Sequence, residues 1–143
     1  MNKTVKANAI WKGNMRVDVY TDEHQFIMDQ PGNMGGKNEG PNPMEYLLFA
    51  LGGCLGTVAA IIANQERIPL NGIKVAVEGD YDPDYLLGKT QEGKAGYTEI
   101  RVTAKIDAEM TDEEKEAFFE RVHDRCPITS SVSLPTKIVF KTE

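Results

Sequence analysis

Cys54, Cys126, His24 and His123 are the side chains whose types most narrowly limit the chemistry this 143-residue chain could perform. A thiol works as a nucleophile or metal ligand only when ionised, and a nearby histidine can take its proton. His123 lies three residues before Cys126, a spacing that could bring base and nucleophile together on one helical face. The competing reading is a histidine near a helix C-terminus, interacting with the helix dipole. Neither histidine stands in a Cys/His spacing that builds a zinc site, so no metal is expected. No Cys-x-x-Cys occurs, which removes the dithiol spacing of thioredoxin-like proteins. A phosphate-cradling loop is excluded as well. Its nearest match, ending at Gly36-Lys37, has Pro31 where the first glycine belongs and Asn38 where a hydroxyl is needed.

The two cysteines are either small buried hydrophobes or working thiols, and their surroundings differ. Cys54 falls among Leu47, Leu51 and Val58 on an apolar stripe, where burial favours the neutral thiol. Cys126 precedes Pro127 at a predicted helix start, where backbone N–H groups and neighbouring Arg125 favour the thiolate. On local physics Cys126 is the more activated of the two.

The elements that must position these residues can be read along the chain. Val5, Ala7, Ala9 and Trp11 alternate, as do Met15, Val17 and Val19, and Gly13-Asn14 between them is a hairpin signal. His24 to Asp29 adds a third strand to this meander. Gln30 to Pro41, rich in Gly, Asn and Pro, reads as a loop without regular structure. Asn42-Pro43 then starts a helix predicted to run to about Arg67, before Pro69. Leu47, Leu48, Leu51, Leu55, Val58, Ile61 and Ile62 make its main stripe, with Phe49 and several alanines covering much of the rest. Such a helix belongs inside something. Gly52, Gly53 and Gly56 weaken it by about 1 kcal/mol each relative to Ala, a cost tolerated where another backbone approaches.

Asn71-Gly72 opens a strand with Ile73, Val75 and Val77 on one face. After a polar loop to Gly96 comes another, with Ile100, Val102, Ala104 and Ile106 on one face. Thr111 to Glu114 is a capping box that begins an amphipathic helix through Phe118, Phe119 and Val122. A short helix is predicted from Ile128 to Leu134, and a last strand from Lys137 to Lys141. Three strands, a long apolar helix, two strands, two helices and a strand make an α+β fold in one domain, 1–143.

Composition limits the partners. A formal net charge of -6 argues against a surface that tracks nucleic acid or anionic lipid. No stretch is expected to approach the roughly 18 consecutive apolar residues needed to span a bilayer, and the start Met-Asn-Lys-Thr-Val-Lys lacks a signal-like apolar region. A soluble, cytoplasmic protein is expected, and its reducing surroundings would not maintain a purely structural disulfide.

Gly40-Pro41-Asn42-Pro43-Met44-Glu45-Tyr46-Leu47-Leu48, then Ala50-Leu51-Gly52-Gly53-Cys54, and the distal Cys126-Pro127 with Ser130 resemble the OsmC family and its organic hydroperoxide resistance branch. The resemblance covers nearly the whole chain. It implies an OsmC-like fold, with antiparallel sheets around the long central helix, assembled as an intertwined homodimer. It further implies a thiol peroxidase in which Cys54 attacks the peroxide and becomes a sulfenic acid, while Cys126 resolves it to a disulfide. An external dithiol would re-reduce the pair, and no bound cofactor is required. The apolar residues around Cys54 suggest organic hydroperoxides.

The resemblance also implies an arginine from the N-terminal sheet, held by a glutamate near the central helix start. Arg16 and Glu45 are the matching candidates, with Arg67 a weaker arginine. Glu45 stands one position later than the glutamate of the organic hydroperoxide branch, where this chain has Met44, which suggests a different branch. At about 100° per residue it also lies on the opposite helix face from Cys54. The alternative is a non-enzymatic protein of the same fold, binding an apolar small molecule or sensing redox state.

Overall fold

The computed structural model describes residues 1–143, organised as two compact units, Met1–Leu47 and Leu48–Glu143. In the first, strands β1 (Asn8–Trp11), β2 (Val17–Tyr20) and β3 (Gln25–Met28) form an antiparallel meander in that order. Ala9 faces Val19, and Val19 faces Phe26. Gly13 and Asn14 both adopt positive φ, 99° and 51°, the conformation that a tight hairpin turn requires and that these two residue types tolerate best.

The segment after β3 is more ordered than a loop without regular structure. A 3-10 turn occupies Gly32–Met34, and the buried Asp29 carboxylate accepts backbone N–H groups of Gln30, Lys37 and Glu39 at 2.8, 3.2 and 3.1 Å. A single acid thereby gathers donors from across the loop, which periodicity cannot reveal. The N–H of Glu39 is the largest influence holding Asp29 below the usual carboxylate range, against the opposing effect of burial. A carboxyl whose folded pKa is depressed adds stability above its unfolded value, lost as pH falls through the folded value. Asp29→Asn is therefore expected to lower Tm at neutral pH. In paired thermal melts, the gap from wild type should close as pH falls below about 4.

Helix α1 (Pro43–Glu66) begins in the first unit and continues through the second. In the second unit, β4 (Gly72–Asp80) pairs antiparallel with β5 (Glu99–Asp107) over their full lengths. Helices α3 (Asp112–Asp124) and α4 (Pro127–Ser133) follow, after a short α2 (Pro83–Leu86) inside the loop between the strands. Thr111 and Glu114 form the expected capping box at the start of α3. The core is built from Leu51, Leu55, Val58, Ala59, Ile62 and Ala63 of α1, Ile106 of β5, Phe118 and Val122 of α3, and Cys126. Ile73, Val75, Val77, Ile100, Val102 and Ala104 pack on it from one sheet face, as their alternation requires. Arg121 of α3 holds Glu66 with two bonds of 3.1 and 2.7 Å, fastening the end of α1.

A Cβ added to Gly52 would meet the side chains of Val77 and Val75 at 3.3 and 3.9 Å, so that glycine admits sheet side chains; at Gly53 and Gly56 nothing in this chain comes near. Two sequence expectations need correction. Lys137 to Lys141 is not a strand: it has no regular structure, and Ile138, Val139 and Phe140 are exposed. A strand exists only where a neighbouring strand takes its backbone bonds, and within this chain none pairs with this segment. Finally, α1 is long and apolar enough to cross a membrane, with mean hydropathy 2.1 in its best window. The stretch from Tyr46 to Ala63 has no charged residue, and its Leu, Ile, Val and Phe side chains raise the average. Its core-facing stripe is what supports a core helix.

Candidate functional site

Cys54 sits midway along α1, half-buried, on the edge of the stripe that packs into the core of the second unit. Cys126 follows α3 and is fully buried. Both are free thiols, and the fold packs Cys54 against the core that contains Cys126, close enough for each to act on the other's ionisation. Cys126 is the N-cap of α4. Its extended backbone (φ -78°, ψ 114°) turns the sulfur toward the first turn, where it accepts the Thr129 N–H at 3.4 Å. Pro127 at the first helical position has no N–H to spend, and Ile128 supplies a further backbone N–H that acts on both sulfurs.

The two thiols ionise unequally. Burial pushes Cys54 up, the neighbouring Cys126 pushes it further, and only the Ile128 N–H opposes. Burial would push Cys126 up too, but the Thr129 hydroxyl, the Thr129 N–H, the Cys54 thiol and the Ile128 N–H together outweigh it, and Cys126 is lowered. The surroundings of Cys126 thus favour its thiolate and those of Cys54 its neutral thiol.

Thr129 was not legible as a site residue. The signal that could have found it is the helix start read at Cys126-Pro127, which puts Thr129 at the third helical position, where its N–H faces the cap. Its Oγ1 is buried and lacks a well-formed hydrogen bond. Thr129 also lines a cavity of about 420 Å3, otherwise walled mainly by apolar residues including Leu51, Leu55, Val102 and Phe119.

The remaining candidates have other partners. Arg16 lies between two carboxylates of the first unit, bonding Asp18 at 2.8 Å and Glu39 at 2.7 Å. Glu45 closes a capping box with Asn42: its Oε1 accepts the Asn42 N–H at 3.0 Å, and Asn42 Oδ1 accepts the Glu45 N–H at 2.9 Å. The glutamate bonded to Arg16 is therefore Glu39, which lies in the loop before the helix and was not singled out from the sequence. His123 stacks edge-on against Phe119 at 5.7 Å and has Asp124 at 3.3 Å, while its bond to Cys126 is made by its backbone carbonyl. Arg67 ends α1 with positive φ, 55°. No group of three or more His, Cys, Asp or Glu side chains could hold a metal ion.

Comparison with known proteins agrees with this architecture. A family model described as OsmC-like protein matches residues 36–141. An OsmC-like protein of Mycoplasma pneumoniae superposes with TM-score 0.81 at 22% identity, covering 93% of this chain and 89% of that one. An organic hydroperoxide resistance protein of Elizabethkingia anophelis superposes with TM-score 0.71 at 20% identity, covering 92% and 89%. A Legionella pneumophila protein described as an organic hydroperoxide resistance protein OsmC and predicted redox protein gives TM-score 0.69 at 21% identity, covering 91% and 89%. At these identities the likeness is one of fold. No curated protein matches the chain by sequence.

Proposed function

This chain belongs to the OsmC-like protein family, and from that membership together with its thiol pair we propose that it is a thiol peroxidase reducing organic hydroperoxides. The observation that carries this reading is the closeness of Cys54 and Cys126, far apart in sequence yet packed in one core where each acts on the other's ionisation. The Cys54 sulfur attacks the terminal peroxide oxygen, the O–O bond breaks, and an alcohol leaves with Cys54 as a sulfenic acid. Cys126 then attacks that sulfur, forming the Cys54–Cys126 disulfide and releasing water. An external dithiol returns both thiols, and no bound cofactor takes part. Arg16 remains the proposed arginine for the attacking thiol, its guanidinium steadied by Asp18 and Glu39. Glu45 serves the start of α1 and acts on the site only through it. The apolar cavity beside Thr129 suits an alkyl or aryl tail.

A homodimer is part of the proposal. Phe49 and Ile61 of α1 and the C-terminal Ile138 to Phe140 are exposed, and Gly53 and Gly56 leave room for a close neighbour. Sedimentation as a monomer at micromolar concentration would remove this element. A cytoplasmic location fits a pair that a reducing pool must regenerate, and cell fractionation tests it.

The cavity also favours a second reading, a module that binds an apolar molecule and keeps the cysteines as packing. Intact mass spectrometry after one equivalent of an alkyl hydroperoxide separates the two. The peroxidase is expected to lose two hydrogens per chain, and peptide mapping should join Cys54 to Cys126. Unmodified thiols would instead leave the binding module.

A further inference from the structure

The cavity of about 420 Å3 lies wholly within the second unit, between α1, β5, α3 and α4, and its size is usual for a small-molecule site. Leu51 and Leu55 of α1 are buried in its wall, while His123, Val132 and Ser133 are exposed, so it opens beside α3 and α4. Three of its lining side chains carry polar atoms, and two are engaged. Ser133 Oγ donates to the Thr129 carbonyl at 2.6 Å, and His123 Nδ1 has Asp124 at 3.3 Å. Thr129 Oγ1 differs from both: it is the one buried side-chain nitrogen or oxygen of the chain with no hydrogen-bond partner in the protein. A buried hydroxyl left unpaired costs free energy, so its place in an apolar wall calls for a partner that the folded chain does not supply. Thr129 is also tied to the thiols. Its N–H is held by Cys126 Sγ at 3.4 Å through the cap of α4, and Leu51 and Leu55 lie on either side of Cys54 along α1. The polar atom that the cavity leaves unpaired therefore belongs to the lining residue that also holds a sulfur.

The structure assigns to Thr129 the binding of the ligand's oxygen: its hydroxyl donates a hydrogen bond to the carbon-bearing oxygen of a hydroperoxide, and to that of the alcohol formed from it, while the organic part fills the cavity. For the reaction step this deepens the peroxidase reading and rests on it. The Cys54 thiolate attacks the terminal oxygen, the S–O bond forms, the O–O bond breaks, and its electron pair passes to the carbon-bearing oxygen. Cys54 is oxidised to the sulfenic acid, which keeps the peroxide's hydrogen. The peroxide is reduced by two electrons to an alkoxide, which takes a proton from water. Thr129 keeps its own proton throughout. Its hydrogen bond strengthens as charge gathers on the oxygen, because a bond to an ionised acceptor exceeds one to a neutral acceptor, so it favours the transition state over the bound peroxide. Hydrogen peroxide has no organic part to lodge in the cavity and is not held against the hydroxyl.

The test titrates the full-length protein, thiols reduced, with cumyl alcohol, the product of cumene hydroperoxide, and with cumene, the same skeleton without oxygen. Protein NMR shifts report both dissociation constants. Thr129→Val keeps the side-chain shape and removes the hydroxyl. It is expected to bind the alcohol about tenfold more weakly than wild type, and cumene as tightly or more tightly. Thr129→Ser should return the alcohol affinity to within about threefold of wild type. A merely structural role would move both ligands together. In turnover, Thr129→Val should lower kcat/KM for cumene hydroperoxide about a hundredfold, mostly in kcat, and that for hydrogen peroxide about threefold or less. Should the valine variant fail to fold, Thr129→Ala removes the same hydroxyl without adding a branch.

Equal weakening of both ligands, an unchanged alcohol affinity in Thr129→Val, or no binding of the alcohol by wild type would overturn the inference. Cumene hydroperoxide turnover by Thr129→Val at the wild-type rate would overturn the transition-state role and leave the peroxidase reading standing. A wild type that binds the alcohol through Thr129 yet leaves Cys54 unoxidised by cumene hydroperoxide would remove the peroxidase reading and keep Thr129 as the oxygen anchor of a binding site.

Discussion

Replacing Cys54 by serine is expected to lower turnover of an alkyl hydroperoxide in the presence of a dithiol by a hundredfold or more, on the order seen when a covalent nucleophile is removed. The oxygen of serine neither ionises near neutral pH nor carries the reaction through a sulfenic acid, so both half-reactions are lost. The substitution itself is gentle on the fold, since Cys54 is only half-buried at the edge of the core stripe. Unfolding is therefore a poor explanation for lost activity, and an unchanged melting curve should accompany it. Peroxide consumption, followed by a peroxide-sensitive dye at matched protein concentration, measures the effect. A Cys54→Ser protein as fast as wild type would show that the thiol pair is not the reacting centre, and the binding reading would then stand in its place.

The largest stability effect is expected at Phe118. Its ring is fully buried on the core face of α3, and the Arg121 guanidinium lies 5.8 Å from the ring centroid while also binding Glu66 of α1. Phe118→Ala removes the ring and leaves a cavity that the surrounding α1 and sheet residues cannot close, a change that costs about 3–5 kcal/mol. For a chain of this length that corresponds to a Tm lower by roughly 10–17 °C. In urea titrations the midpoint should fall with little change in slope, as expected when the native state loses contacts without changing how much surface unfolding exposes. Because Cys126 directly follows α3, the same variant should also form the disulfide more slowly than wild type. A midpoint within error of wild type would mean that α3 does not carry the core in the way its burial indicates.

Much of this architecture could be read in advance because it is local. The alternation of Ile73, Val75 and Val77 predicts a buried face whatever lies opposite, Gly13-Asn14 predicts a tight turn, and Asn42-Pro43 and Thr111 to Glu114 mark helix starts by the bonds they offer their own first turns. All of these are present. The failures share the opposite property. Lys137 to Lys141 has a strand's composition but no strand beside it in this chain, and the donors gathered by Asp29 come from positions 30, 37 and 39, a pattern with no period.

The two thiols divide along the same line. Their presence, their number, the Pro127 that places Cys126 at a helix start, and the motifs that resemble one family are properties of the sequence alone. That the two sulfurs lie near one another, and that Thr129 is the residue beside Cys126, are decided by tertiary structure. The glutamate on Arg16 is likewise Glu39, because Glu45 is already engaged by Asn42. The physical reason is that ionisation depends on which donors and which buried surfaces surround an atom in space. Residue type and spacing specify only those neighbours that lie within the same turn of chain.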